Sequence, residues 1–125
     1  MTQREQIIHN YIAAYNNFDV DKMMADFDDA IRFENISKGK VDRLLVGRTA
    51  FKELAEQSRH LLSERRQTIR SFVHEADQTT IQIDYFAILA IDLPNGLKKG
   101  AELKLSGISV FKFDGNKIVA LSDIS

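Results

Sequence analysis

The chain has no cysteine, almost no net charge and no long apolar run, and each absence closes off a class of function. Without cysteine there is no disulfide, no thiolate nucleophile and no zinc–thiolate site. A net charge of −1 gives no overall field to draw nucleic acid or an anionic membrane. The short basic groups Lys38/Lys40, Arg65-Arg66 and Lys98-Lys99 are separated by acids and turns and read as solvated surface. No apolar stretch approaches the ~20 residues needed to span a bilayer. The opening MTQREQII lacks the basic start and apolar run of a secretory leader, so a cytoplasmic location is expected. No Gly-rich phosphate loop, Ser-His-Asp arrangement or nucleotide fingerprint is present, and no repeat or low-complexity tract. His9, His60 and His74 lie on different elements without the paired spacing of a metal site, so no metal is expected.

What is present is an ordinary globular balance, 44% apolar and 28% charged, in 125 residues. That length suits one domain, 1–125, with a substantial core. Ile8, Tyr11, Ile12 and Tyr15 fall at helical spacing and form one apolar stripe. The chain breaks at Asn16-Asn17, and Asp19 can cap a short second helix whose buried side is Met23, Met24 and Phe27. A strand follows from Ile31 to Asn35, then a loop and short edge strand from Ser37 to Val46. Gly47 precedes a third helix, expected from Thr49 to Arg65, with Phe51, Leu54, Ala55, Ser58, Leu61 and Leu62 inward. The rest reads as strand: Thr68–Glu75, Thr79–Asp92, Lys98–Phe113 and Lys117–Ser125. Pro94-Asn95-Gly96 and Asp114-Gly115-Asn116 supply the hairpin turns. Helices followed by an antiparallel meander is an α+β order.

Strand alternation sorts side chains between the two faces. Ile31, Phe33 and Asn35 share a face, with Arg32 and Glu34 opposite. Ile81, Ile83 and Tyr85 are assigned inward, as are Leu103, Leu105, Ser109, Phe111 and Phe113. In the last strand Val119, Leu121, Asp123 and Ser125 form the inward set, against Ile118, Ala120, Ser122 and Ile124. Phe86, Ile88, Ile108, Val110 and Ile124 are then left outward as an apolar patch. A homodimer burying this open sheet face is expected, since monomers rarely expose such a patch.

The run from Tyr11 to Asn35, YIAAYNNFDVDKMMADFDDAIRFEN, resembles the opening of the nuclear transport factor 2-like superfamily. That superfamily includes ketosteroid isomerase and the SnoaL-type polyketide cyclases, and the resemblance extends to Ser125. It implies a cone-shaped α+β fold, three N-terminal helices on a strongly bent antiparallel sheet, with a pocket between them. It also implies sheet-to-sheet dimers. Tyr11 matches the helix tyrosine of the isomerase. The base position falls on Asn35, or on Glu34 if one residue is deleted before Asp28, and the strand aspartate position falls on Ser109. Alternation favours Asn35 as the inward residue. An amide cannot abstract a proton, so steroid isomerisation by that mechanism is not expected.

In the SnoaL-like cyclases the acid/base is an Asp on a late strand, and Asp123 occupies a similar place. Among apolar neighbours its pKa should rise through desolvation, and a carboxylate at Ser125, roughly 7 Å away by strand rise, would push the same way. The bland alternative is that Asp123 sits exposed at the pocket rim. Tyr11, Tyr15 and Tyr85 are candidates for ligand contact but could equally be core residues with hydroxyls in water. His74 is left open, because Phe72/His74 and Val73/Glu75 are both defensible inward pairs. The expected site therefore has Asp123 and Tyr11 as catalytic groups. Tyr15, Phe27, Phe33, Asn35, Phe51, Tyr85, Leu105, Ser109, Phe111 and Leu121 are expected around a small hydrophobic ligand. Two functions fit: cofactor-independent acid/base isomerisation or cyclisation of an enolisable carbonyl compound, or binding without chemistry.

Overall fold

A computed structural model describes residues 1–125. In chain order its elements are α1 (Gln3–Asn16), α2 (Val20–Met23), β1 (Phe27–Ser37), β2 (Lys40–Val46), α3 (Arg48–Ser58), β3 (Leu62–His74), β4 (Gln78–Leu89), β5 (Glu102–Asp114) and β6 (Lys117–Ile124). A single 3-10 turn, Arg59–Leu61, joins α3 to β3. The fold is α+β, with three helices on a six-stranded sheet ordered β2-β1-β6-β5-β4-β3.

Local chemistry accounts for the helix boundaries. The Thr2 side chain accepts from the Glu5 amide and opens α1, and the Asp19 carboxyl accepts from Lys22 and opens α2. Between them Phe18 holds φ at 57°, a left-handed conformation that glycine would adopt more cheaply. Gly47, with φ 96°, turns the chain into α3 while its amide bonds to the Ile31 carbonyl at 2.7 Å.

The expected third helix runs too long. It ends at Ser58 rather than Arg65, and β3 begins at Leu62, six residues before the expected start. The meander β3-β4-β5-β6 is antiparallel throughout, but β6 pairs with β1 in parallel, so the sheet is mixed. Alternation is the same for either direction, which is why the sequence pattern could not distinguish them. The chain leaves the β1–β2 hairpin through α3, crosses to the far edge at β3 and returns strand by strand to β1. The Pro94-Asn95-Gly96 turn is present, with Gly96 at φ 96°, but it sits inside a longer loop because β4 stops at Leu89 and β5 starts at Glu102.

Register shifts re-aim several side chains. One lies in β3 between Leu62 and Glu64 and another between Ile69 and Ser71, so Leu62, Arg65, Ile69 and Phe72 can all face the helices. A third lies between Lys112 and Phe113 against β6. It brings Ile118 into the core at 1% exposure, correcting its outward assignment. The main core joins the α1 residues Ile7, Ile8, Tyr11 and Ile12 to Phe27, Ile31, Phe51, Ile81, Phe111 and Leu121.

Candidate functional site

A cavity of about 340 Å³ lies between the helices and the inner face of the sheet. Tyr11 and Tyr15 reach it from α1, and Phe51, Leu54, Ala55 and Ser58 from α3. Phe33, Leu62, Arg65, Tyr85, Leu89, Leu103 and Asp123 come from the strands. Leu61 and Leu93 complete one side from the connecting segments. Thirteen of the sixteen lining residues are hydrophobic, and the others are Ser58, Arg65 and Asp123.

Asp123 is held from both sides of its strand. Its backbone pairs with Asn35 in β1 and Ser109 in β5, and the Ser109 hydroxyl donates to its carboxylate at 2.8 Å. Two residues on, the Ser125 amide bonds to the Ile36 carbonyl at 2.9 Å, so this strand end is pinned. Protein crowds the carboxyl although part of the residue's surface opens to the cavity. Desolvation pushes its pKa from the ordinary 3.8 up to about 6, against the Ser109 hydrogen bond, which favours the ionised form.

The tyrosines form the polar counterpart. Tyr15 and Tyr85 join hydroxyls at 2.9 Å, and burial raises the pKa of both. The Tyr11 hydroxyl has no protein partner, and its pKa is raised first by burial and then by the negative charge of Asp123. It therefore remains a protonated donor. Its ring is clamped between Phe27, at a centroid separation of 5.8 Å, and Phe111, at 5.6 Å.

Beyond the Tyr15–Tyr85 pair lies a smaller cleft of about 170 Å³, which shares both tyrosines and Asp123 with the main cavity. Its wall includes Asn35, Gln67, Leu105 and Ser109, and the Gln67 Oε1 is buried there without a hydrogen-bond partner.

The sequence-derived site residues thus separate into three groups. Tyr11, Tyr15, Phe33, Phe51, Tyr85 and Asp123 line the main cavity. Phe27, Phe111 and Leu121 lie behind it, sealed at 1–2% exposure, because their rings and branches fill the sheet–helix seam. Asn35, Leu105 and Ser109 belong to the smaller cleft. Leu105 is 58% exposed, and its neighbour on the same face, Leu103, reaches the cavity instead. Asn35 shares the face of Asp123, but its amide donates to Asp42 in β2 at 2.9 Å, while Glu34 turns the other way and accepts from Ser122. The inward pair in β3 is Phe72/His74, with Val73 56% exposed. His74 serves α1 rather than the cavity, bonding Glu5 at 2.6 Å and Thr79 at 2.8 Å.

Arg65 is the residue that the reading of the sequence missed. As half of a basic pair at the end of an expected helix, it reads from the sequence as solvated surface. It is 4% exposed, while Arg66 beside it faces solvent. A strand reading beginning at Leu62 would have separated the two arginines to opposite faces.

A sequence model of the family described as a SnoaL-like domain matches residues 8–121. No curated protein matches by sequence. Among solved structures, a protein of unknown function from Burkholderia pseudomallei, described as NTF2-like, superposes with a TM-score of 0.80 at 14% identity, covering 98% of this chain and 90% of that one. A candidate polyketide cyclase from Acidithiobacillus ferrooxidans gives a TM-score of 0.81 at 17% identity, over 98% and 87% of the two chains. TerC, co-crystallised with polyporic acid, gives 0.79 at 13% identity, over 98% and 91%. At these identities the likeness is one of fold.

Proposed function

The chain belongs to the SnoaL-like family, and from that premise we propose that its cavity takes a small hydrophobic carbonyl compound and moves a proton on it. The observation that carries this reading is that Asp123, with its pKa pushed up to about 6, and the unpartnered Tyr11 hydroxyl line the same apolar cavity. At neutral pH Asp123 is largely ionised and able to take a proton from a carbon next to the carbonyl. Tyr11 donates to the enolate oxygen that develops, and the protonated Asp123 then returns the proton elsewhere on the same face. A base whose pKa lies close to the working pH is suited to both halves of that cycle. Ser109 is a positioning residue that fixes the carboxylate, and the Tyr15–Tyr85 pair adds a second donor nearby. Enolisation by such a pair asks for no cofactor. The relative TerC, crystallised with polyporic acid, supports a small organic ligand for the fold.

The test is deuterium incorporation from heavy water into a panel of enolisable hydrophobic ketones, followed by NMR. Wild type should exchange the α-protons, with a rate rising through about pH 6. Asp123→Asn should lower it by about 10²–10⁴-fold, and Tyr11→Phe by about 10²-fold or more. Exchange that survives in Asp123→Asn overturns the catalytic reading. Binding without chemistry is the second reading, favoured by the thirteen hydrophobic residues of the lining, and it predicts saturable affinity with no exchange in any form of the protein.

We also propose that two copies pair through the open sheet face of Phe86, Ile88, Ile108, Val110 and Ile124. None of these five is buried in the single chain, and Ile108 is 36% exposed.

A further inference from the structure

Arg65 is a buried cation without an anion. It projects from β3 into the cavity wall opposite Ala87, whose small side chain leaves room for it. Its guanidinium lies 3.8 Å from the ring centre of Tyr15 and 4.3 Å from that of Phe18, so aromatic faces cover it. Its Nε donates to the Tyr15 carbonyl at 2.7 Å, in the last turn of α1, where the helix presents partial negative charge. One Nη reaches only the Met23 sulfur, at 3.8 Å, and the other has no protein acceptor. The one carboxylate on the cavity wall, Asp123, is bonded to Ser109 and forms no ion pair with Arg65.

The other anchoring arginines are built differently. Arg4 donates to the carbonyls of Glu75, Ala76 and Gln78, and Arg48 to those of Met24 and Phe27 with Asp29 at 3.9 Å. Those two are more exposed yet better satisfied. A guanidinium has five N–H donors, and the Arg65 nitrogen that meets no protein acceptor opens onto the cavity, where a ligand can reach it. The backbone beside it is also strained in its favour, because the left-handed Phe18 lays its ring on the guanidinium where glycine would have been the easier choice.

We propose that the cavity selects hydrophobic molecules bearing a carboxylate, and that this carboxylate docks on the free edge of the Arg65 guanidinium. The proposal rests on the reading of the cavity as a site for a small apolar ligand and adds the anion. The carboxylate supplies the acceptors that the protein withholds, and the apolar body of the ligand lies along Phe51, Leu54 and Leu89. The group that Asp123 and Tyr11 act on is then a carbonyl elsewhere on the same molecule, with the carboxylate as its handle.

Matched pairs test this without knowledge of the natural ligand. Phenylacetic acid and 1-naphthylacetic acid would each be titrated at pH 7.5 against their primary amides by calorimetry. Wild type should prefer the acid by about tenfold to a hundredfold, the worth of charge-assisted hydrogen bonds in a dry site. Arg65→Met keeps most of the side-chain bulk and should abolish that preference by weakening the acid alone, leaving the amide nearly unchanged. The wild-type comparison needs no variant, so the proposal remains open to refutation even if Arg65→Met fails to fold. In wild type, the Arg65 Nε–H resonance should shift on adding the acid and stay in place on adding the amide. Acid and amide binding equally well would overturn the anion site and leave the apolar cavity standing. Neither member of either pair binding would overturn both. An acid preference that persists in Arg65→Met, or that moves only surface lysine signals, would show that the anion is held elsewhere.

Discussion

Asp123 and Arg65 lie on the same cavity wall, and neither has an oppositely charged partner in the protein. For Asp123 the consequence for stability follows from the direction of its shift. The native carboxyl holds its proton up to about pH 6, while an unfolded one releases it near 3.8. The native state therefore binds more protons across that window, and stability falls as pH rises through it, then levels off above. Asp123→Asn should remove this slope and make the protein more stable at pH 7.5, on the order of 1–3 kcal/mol. Urea unfolding of both forms at pH 4, 5, 6 and 7.5 would measure it, and equal slopes would refute the assignment. The gain in stability with loss of proton transfer is the signature of a group kept for chemistry rather than folding. Asp123 was legible in the sequence because alternation sets it on the face of Leu121 and the SnoaL-like resemblance points to an Asp on a late strand. Arg65 was not, because a doubled arginine reads as surface whenever the register of its strand is unknown.

At the scale of elements, the sequence carried type and order better than ends. The α1 stripe, the Asp19 cap and the Asp114-Gly115-Asn116 hairpin follow from local chemistry and are present, Gly115 taking φ 58°. The end of α3 depends on β3 finding β4, a tertiary event that outweighs helix propensity over Arg59–Arg65. Ile118 was displaced by a register shift that leaves no mark on alternation, while Leu62 faces the cavity as expected but from a strand instead of a helix. The attachment of α1 was likewise invisible. Arg4 donates to three carbonyls around the β3–β4 turn, and His74 holds Glu5, lowering its pKa by the hydrogen bond first. Arg4→Ala should cost about 1–3 kcal/mol, since the carbonyls it satisfies lose a charged donor. Hydrogen exchange should quicken in residues 3–8 and 75–78 while the amides of β5 and β6 hold. Unchanged exchange in α1 would show that its apolar stripe alone fixes it.

For the whole molecule, the proposed pairing of open sheet faces has a direct test. Covering a standard interface hides roughly 800 Å² per partner, and Val110→Lys would bury an ammonium in it without a partner. Light scattering at micromolar concentration should give twice the chain mass for wild type and the single mass for the variant, with the fold retained by circular dichroism. A wild-type monomer would refute the pairing. The parallel seam between β1 and β6 bears on synthesis as well as on form. β6 begins ninety residues after β1 begins. At about 5–20 residues per second, a ribosome needs roughly 5 to 20 seconds to make that span. Throughout it the nascent β1 has β2 on one side and a bare row of amides and carbonyls on the other, the kind of edge that captures stray strands. The seam beside β1 is thus closed by the last strand of the sheet to be made, and a translating chain stalled before Lys117 would leave that edge uncovered.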